Sequence, residues 1–416
     1  MEEKFVQKSV LLVPEESTSK LKVEKLWELM AEHPYKAKMY DEFEIEKIKN
    51  EVITIDYIDT VYKRIKHFNT NYNRMFIRAE IKHINLFEEM LVIDGEKKKE
   101  IVFHFDEYLV IDEVKENLKT VAKYDSKNTY LDEYLMTKYA NSLFKNGLSD
   151  LARQNIQYFK DLASSSDNYN KHRSYRLVEH DGITYLRGIT SIDKYYEYGV
   201  DFAFVVSMLV FHDFMKKNKG VEYKIKSAHI NESKLEIIVA EKFKKDAGEF
   251  GKVSTAIKVS TNDLGKGSLN FLNIINIGKT NKDGFYLFPK QNPFESNRVM
   301  ISHTTKPENV IATLKTMESV LNTSDKFIKE LKEVKTIKTP DELRMKIQAK
   351  IDGPRSSFGH IKKLSDIFKT KMDNEITNLS KLLERCNKAE ELEIEFDLKD
   401  KLRYIISDII LYGNTK

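Results

Sequence analysis

The chain has 416 residues with 69 basic and 65 acidic side chains, a formal net charge of +4, and it is 41% hydrophobic and 11% aromatic. That is too much apolar surface for a disordered chain and too even a charge balance for a protein that is basic all over, so any basic surface must be local. A single cysteine, Cys386, excludes an intrachain disulfide and a multi-cysteine zinc site.

The N-terminus opens with acidic residues and lacks the basic-then-apolar order of a signal peptide. The longest apolar stretch, residues 202–211, is about half a membrane span. The expectation is a cytoplasmic protein with no membrane partner and no cofactor.

In chain order, residues 20–50 are rich in Lys and Glu, with Leu21, Val23, Leu26, Leu29 and Met30 at helical spacing; they predict one or two short helices forming a solvated cap. Strands are predicted over 75–87, 89–93 and 100–111, the last two joined across the turn segment 94–99. From 112 to 164 the period changes to 3.6, with Val114, Leu118 and Val121 opening a run of three helices. Residues 163–172 are polar and aperiodic, which places a domain boundary there.

The segment 173–191 predicts a hairpin around Asp181-Gly182, a pair suited to a type I′ turn. A long helix follows from about 193 to 219 and ends at Gly220. Four strands in a meander come next, over 221–278, and from Pro307 the chain reads as charged helices interrupted by Pro340 and Gly353-Pro354. The fold class is α+β, an antiparallel meander with a long packing helix flanked by helical regions. Its expected units are 1–165, 172–305 and 306–416.

No motif for catalysis or metal binding is specific. His212-Asp213 is the dipeptide with which phosphohydrolases ligate a divalent cation, yet a polar turn of a half-buried helix accounts for it more simply. Glu80-Ile81-Lys82 and Glu222-Tyr223-Lys224, with Asp56 or Asp59 upstream, have nuclease spacing, but that spacing recurs by chance in so charged a chain. The glycines of residues 263–268 lack phosphate-loop spacing, and Cys386 has no histidine beside it in the sequence.

Two stretches have the composition of nucleic-acid surfaces. In residues 168–177, Lys171, Arg173 and Arg176 alternate with tyrosines including Tyr175, so guanidinium groups could take phosphates while rings stack on bases. Residues 326–371 are rich in lysine, with Lys326, Lys329, Lys346 and Lys350 as candidate contacts. An ordinary solvated helix is the competing account of that second stretch.

The middle of the chain, about 172–321, resembles the phage- and plasmid-borne (prophage) proteins grouped as a domain of unknown function. The resemblance lies in HRSYRLVEHDGITYL, the helix at 193–219, YKIKSAHINESKLEIIVA, AIKVSTNDLGKGSLNFLNIINI and RVMISHTTKPENVIATLKTMESVL. The Cys-Thr-Asn-Gly segment usual in that family is represented by GKTNKDG at 278–284, without its cysteine. The resemblance implies a phage or mobile-element protein in a bacterial host cell and makes the 256–278 hairpin the central sheet element, without supplying an activity.

The leading expectation is therefore a non-enzymatic protein binding single-stranded DNA in replication or recombination, in the manner of annealing proteins of similar layout. The alternatives are a factor that binds a host or phage protein, such as a defence inhibitor or takeover protein, and a virion-associated structural protein. A metal-dependent nuclease is the remote one. Homo-oligomerisation is expected through the apolar stripe Leu379, Leu382 and Leu383.

Overall fold

The computed structural model describes residues 5–13, 16–163, 171–264, 268–278, 284–289, 297–322, 328–329, 331–332, 339–369 and 376–413. The chain begins with strands β1 (Lys8–Ser9), β2 (Lys20–Lys22) and β3 (Val52–Asp56), with helices α1 (Val23–Trp27), α2 (Lys36–Glu42) and α3 (Ile45–Ile48) between the last two and α4 (Ile58–Asn71) after them. The expected solvated cap is instead a wall of the main core. Leu21, Val23, Leu26, Met30, Met39 and Ile45 are all buried in it, because the helical spacing of these residues faces a long apolar helix further along the chain.

Six strands then build a barrel: β4 (Asn73–Glu80), β5 (Ile84–Ile93), β6 (Glu96–Val110), β7 (Glu113–Ala122), β8 (His172–His180) and β9 (Ile183–Thr190). The ring closes in the order β4-β8-β9-β7-β6-β4, all antiparallel except the parallel pair β7–β9. Strand β5 continues β4 beyond the turn Ile81–His83 and pairs with β6. Helices α5 (Ser126–Asp132), α6 (Thr137–Lys145) and α7 (Ser149–Ala163) lie between β7 and β8. Helix α7 flanks β5, where Lys160 Nζ donates to the Ile84 carbonyl and, at 3.0 Å, to Asn85 Oδ1.

Residues 113–122 were expected to be helical and form strand β7. Val114, Leu118 and Val121 fit a helical period by coincidence: Val114 is 62% exposed, Leu118 packs on the barrel core, and Val121 enters the main core. Pairing with β6 on one side and β9 on the other overrides the local pattern. The β8–β9 hairpin has Asp181 at φ 51° and Gly182 at φ 72°, the two positive values a type I′ turn demands. Residues 164–170 of the expected boundary lie outside the described residues, and the β4–β8 pairing joins strands from either side of it.

Helix α8 (Gly199–Lys217) follows, and 14 of its 19 residues are buried, so it needs packing partners on nearly every side. The sheet beneath it comprises β10 (Tyr223–Ile230), β11 (Lys234–Glu241), β12 (Lys245–Asp246), β13 (Lys252–Asn262), β14 (Ser268–Ile277), β15 (Phe285–Leu287) and β16 (Arg298–Ser302). The expected meander is present as β10-β11-β13-β14, and the sheet extends through β3, parallel to β10, to β2 at its edge. Helices α9 (Pro307–Lys315) and α10 (Met317–Asn322) complete the main core through Val310, Leu314, Met317 and Val320.

The remaining helices, Pro340–Asp352, Lys362–Phe368, Leu379–Glu390 and Phe396–Tyr412, form a second core with Ile275, Ile277, Phe285 and Leu287. Leu379, Leu382 and Leu383 are buried there, so the stripe expected to face another subunit is used within this one. Where Phe396–Tyr412 reaches the opposite sheet face it closes a buried charge network. Lys258 Nζ lies 2.6 Å from Glu236 and also bonds Asp400, while Arg403 bonds Glu390 at 3.0 Å, Asp400 at 3.0 Å and Glu236 at 3.4 Å. Replacing Arg403 with Ala leaves Glu236 and Glu390 short of counter-charge away from water. The expected cost is about 3–5 kcal/mol, read as a lower urea midpoint.

Candidate nucleic-acid interface

A strand turns successive side chains to opposite faces, and β8 applies that rule to the predicted cluster. Tyr175 points into the barrel, is fully buried and meets Phe105 edge to face at 5.1 Å, so its ring is closed to any base. Arg173 pairs with Glu133 at 3.0 Å. Arg176 points outward, but it is only 5% exposed, bonded to Glu197 and stacked at 4.1 Å over Tyr195. Lys171 is exposed just before the strand.

The outward residue opposite Arg176 on the neighbouring strand is Phe76, and sequence reasoning passed over it. It is 63% exposed. Two residues on, Arg78 shares that face and reaches exposed Asp112 at 3.3 Å, a pairing that solvent makes weak. Beyond Arg176 the stack continues, because Tyr195 lies 4.5 Å from the His303 ring at 14°. Arg176, Tyr195 and His303 thus form a stack where the barrel meets the large sheet, in which Arg176 and His303 are buried, with exposed Phe76 in backbone register beside Arg176 and exposed Lys194 beside Tyr195.

Below that stack the junction is polar and buried. Arg187 donates to Glu197 at 2.7 Å and to Ser233 at 3.1 Å, and Arg74 donates to Asp201 at 3.1 Å. Gly199, at φ 74°, donates its N–H to Asp263 at 3.2 Å; the positive φ is what a glycine permits there. Arg176 and Arg187 share the one carboxylate of Glu197. Burial, reinforced by Arg187, pushes Arg176 down to about 10, and burial together with Arg74 lowers Arg187. Against the same burial, Asp201 and Asp263 raise Arg74. The Nε atoms of all three arginines find no hydrogen-bond partner among the described residues.

The other candidates go elsewhere. Lys346 is half-buried and donates to the Gly413 carbonyl at 2.6 Å, Lys350 and Lys329 are exposed, and Lys326 lies outside the described residues. Lys346 and Lys350 sit on the helix Pro340–Asp352, which belongs to the second core and not to the barrel. His212 faces Glu51 at 2.7 Å and Asp213 pairs with Lys217 at 2.9 Å, so the two side chains serve different partners. Asp59 bonds Lys25 at 3.2 Å and Lys63 at 2.7 Å, and Glu80 pairs with Lys82. Burial pushes the Cys386 thiol up, out of the range of a reactive thiolate.

Among the described residues no three His, Cys, Asp or Glu side chains are placed to hold a metal ion, and no helix is long and apolar enough to cross a membrane. Comparison with protein-family models, with curated proteins and with solved structures finds no match. Arg176 and Phe76 differ sharply in what they support. Arg176→Ala should cost about 1–3 kcal/mol by leaving Glu197 under-satisfied, while Phe76→Ala should stay within about 0.5 kcal/mol, both measured by thermal denaturation.

Proposed function

We propose that the protein binds single-stranded nucleic acid at the junction of barrel and sheet. The observation that carries this reading is the exposed Phe76 in register with Arg176, which is itself stacked on Tyr195. Rings on a cationic surface are how strands are held without sequence readout: bases stack while guanidinium and ammonium groups attract phosphate.

Topology supports the same reading by analogy. Counting β4 and β5 as one bent strand, the barrel order is 1-2-3-5-4-1 with helices between the third and fourth strands. That is the arrangement of the OB-fold, a Greek-key barrel whose second and third strands and adjoining loops bind oligonucleotides and oligosaccharides. Part of that outer face is already occupied here, since Val121 and Tyr185 belong to the main core and Leu91 packs against it. The open part is the side of Phe76 and Arg78.

One observation favours a protein partner at a neighbouring spot. The β6–β7 tip holds Ile111 at φ 47° and 90% exposed, beside exposed Val114 and the acids Asp106, Glu107, Asp112, Glu113 and Glu116. A β-branched residue in that conformation is strained, and an acidic rim repels phosphate. The tip therefore marks the limit of the nucleic-acid surface and offers an apolar point to another protein.

Fluorescence polarisation with single- and double-stranded oligonucleotides across a salt series tests the proposal. Single strands should bind more tightly, the affinity should fall as salt rises, and Phe76→Ala should weaken binding by about 1–3 kcal/mol, a 5- to 150-fold loss. A folded protein that binds no oligonucleotide at low salt would move the assignment to the protein partner.

A further inference from the structure

The face of the large sheet that carries Ile238, Ala240, Ala256 and Ile274 is covered over β14, β13 and β11 by Phe288 and Tyr404 of the C-terminal layer. That cover does not reach the strands at the other side. On β3, Val52, Thr54 and Asp56 alternate with buried Ile53 and Ile55, and Val52 and Thr54 are exposed. The ladder β2–β3 places Lys20 opposite Thr54 and Lys22 opposite Val52, and the ladder β3–β10 places Lys224 beside Asp56. Lys224 is also the partner of Ala240, and Lys242, two residues beyond Ala240, therefore shares its face.

Lys20, Lys22, Lys224 and Lys242 thus stand together on one uncovered half-face, although some 200 residues separate the first pair from the second along the chain. With strands about 4.8 Å apart, β2 and β10 lie only about 10 Å from each other. The strand residues of this face include one acid, Asp56, and it is engaged by Lys242 at 2.9 Å; exposed Glu222 takes the same lysine at 3.2 Å. Lys20, Lys22 and Lys224 make no ion pair among the described residues.

Lysines on an edge strand guard against pairing with another chain, and that accounts for Lys20 and Lys22. It does not account for Lys224, which lies inside the sheet between Asp56 and Ala240, with Asp56 itself engaged by Lys242. Burial lowers the Lys224 ammonium, Asp56 opposes that, and Lys242 and Lys244 lower it further. Phe243, next to Lys242, is 70% exposed and adds a ring at the margin.

We infer that this half-face is a second phosphate-binding surface, taking the backbone of a nucleic-acid strand at a place separate from the Phe76 site. The inference rests on the nucleic-acid reading above and extends it: two separate surfaces let one molecule hold a long strand or two strands at once, the arrangement strand annealing requires.

Salt titration of the full-length protein with fluorescein-labelled single-stranded oligonucleotides separates the two surfaces. The triple variant Lys20→Gln, Lys22→Gln, Lys224→Gln avoids the Asp56 pair and should flatten the slope of log K against log salt by about 0.7 per lysine, near 2 for the three. Phe76→Ala should lower K with its slope unchanged. If the triple variant melts early, the single variant Lys22→Gln, fully on the edge strand, should still give a change of about 0.7. A folded variant with the wild-type slope overturns the inference and leaves the Phe76 site standing, as does loss of binding only to phosphatidylserine vesicles. A wild-type protein that binds no oligonucleotide overturns both, and a flattened slope with no effect of Phe76→Ala moves the proposed function to this face.

Discussion

Everything else in the molecule is arranged by the burial of α8. Its residues from Val200 to Leu209 are apolar on all sides apart from Asp201 and Ser207, so no single sheet can cover it, and water on any flank would expose several large side chains. The chain meets that demand with parts drawn from its whole length. Residues 21–65 supply one wall, the sheet a floor, the barrel a side through Val178 and Tyr185, and Val310 to Leu321 a further wall. The barrel is for this reason a fixed part of the molecule rather than a tethered module.

Docking the barrel against α8 brings polar ends of strands to the same place, and this creates the junction where Arg74, Arg176 and Arg187 meet Glu197, Asp201 and Asp263. Such a network is poor evidence for stability, because desolvation offsets much of the attraction, but each partner holds the others in one geometry. The useful consequence is positional. Arg176 is held over Tyr195 by Glu197, and the strand register then sets Phe76 beside it.

How much of this could be read from the chain depended on the range of the interaction. The type I′ hairpin at Asp181-Gly182 and the meander follow from local chemistry and were legible, and so was the long helix, although it begins at Gly199 rather than near 193 and ends at Lys217, before Gly220. Strand β7 was not, because its apolar residues serve three different surroundings. The cationic cluster of residues 168–177 falls largely on β8, and alternation alone would have divided Tyr175 from Arg176. Phe76 gave no signal, since an aromatic residue in an apolar strand ordinarily faces the core; only the closure of the barrel shows which parity is outside.

The near-neutral total charge was the least informative number of all, because the fold partitions it. Where the C-terminal helix covers the sheet, Lys258 and Arg403 are paired out of water with Glu236, Asp400 and Glu390 and contribute little positive field outside. Where the cover stops, Lys20, Lys22 and Lys224 make no ion pair among the described residues, while Lys242 pairs with Asp56 and Glu222. A net charge of +4 over 416 residues is thus compatible with a concentrated positive patch, since the average counts ion pairs that the interior has already closed. The covering helix decides which charges the solvent, and any polyanion in it, encounters.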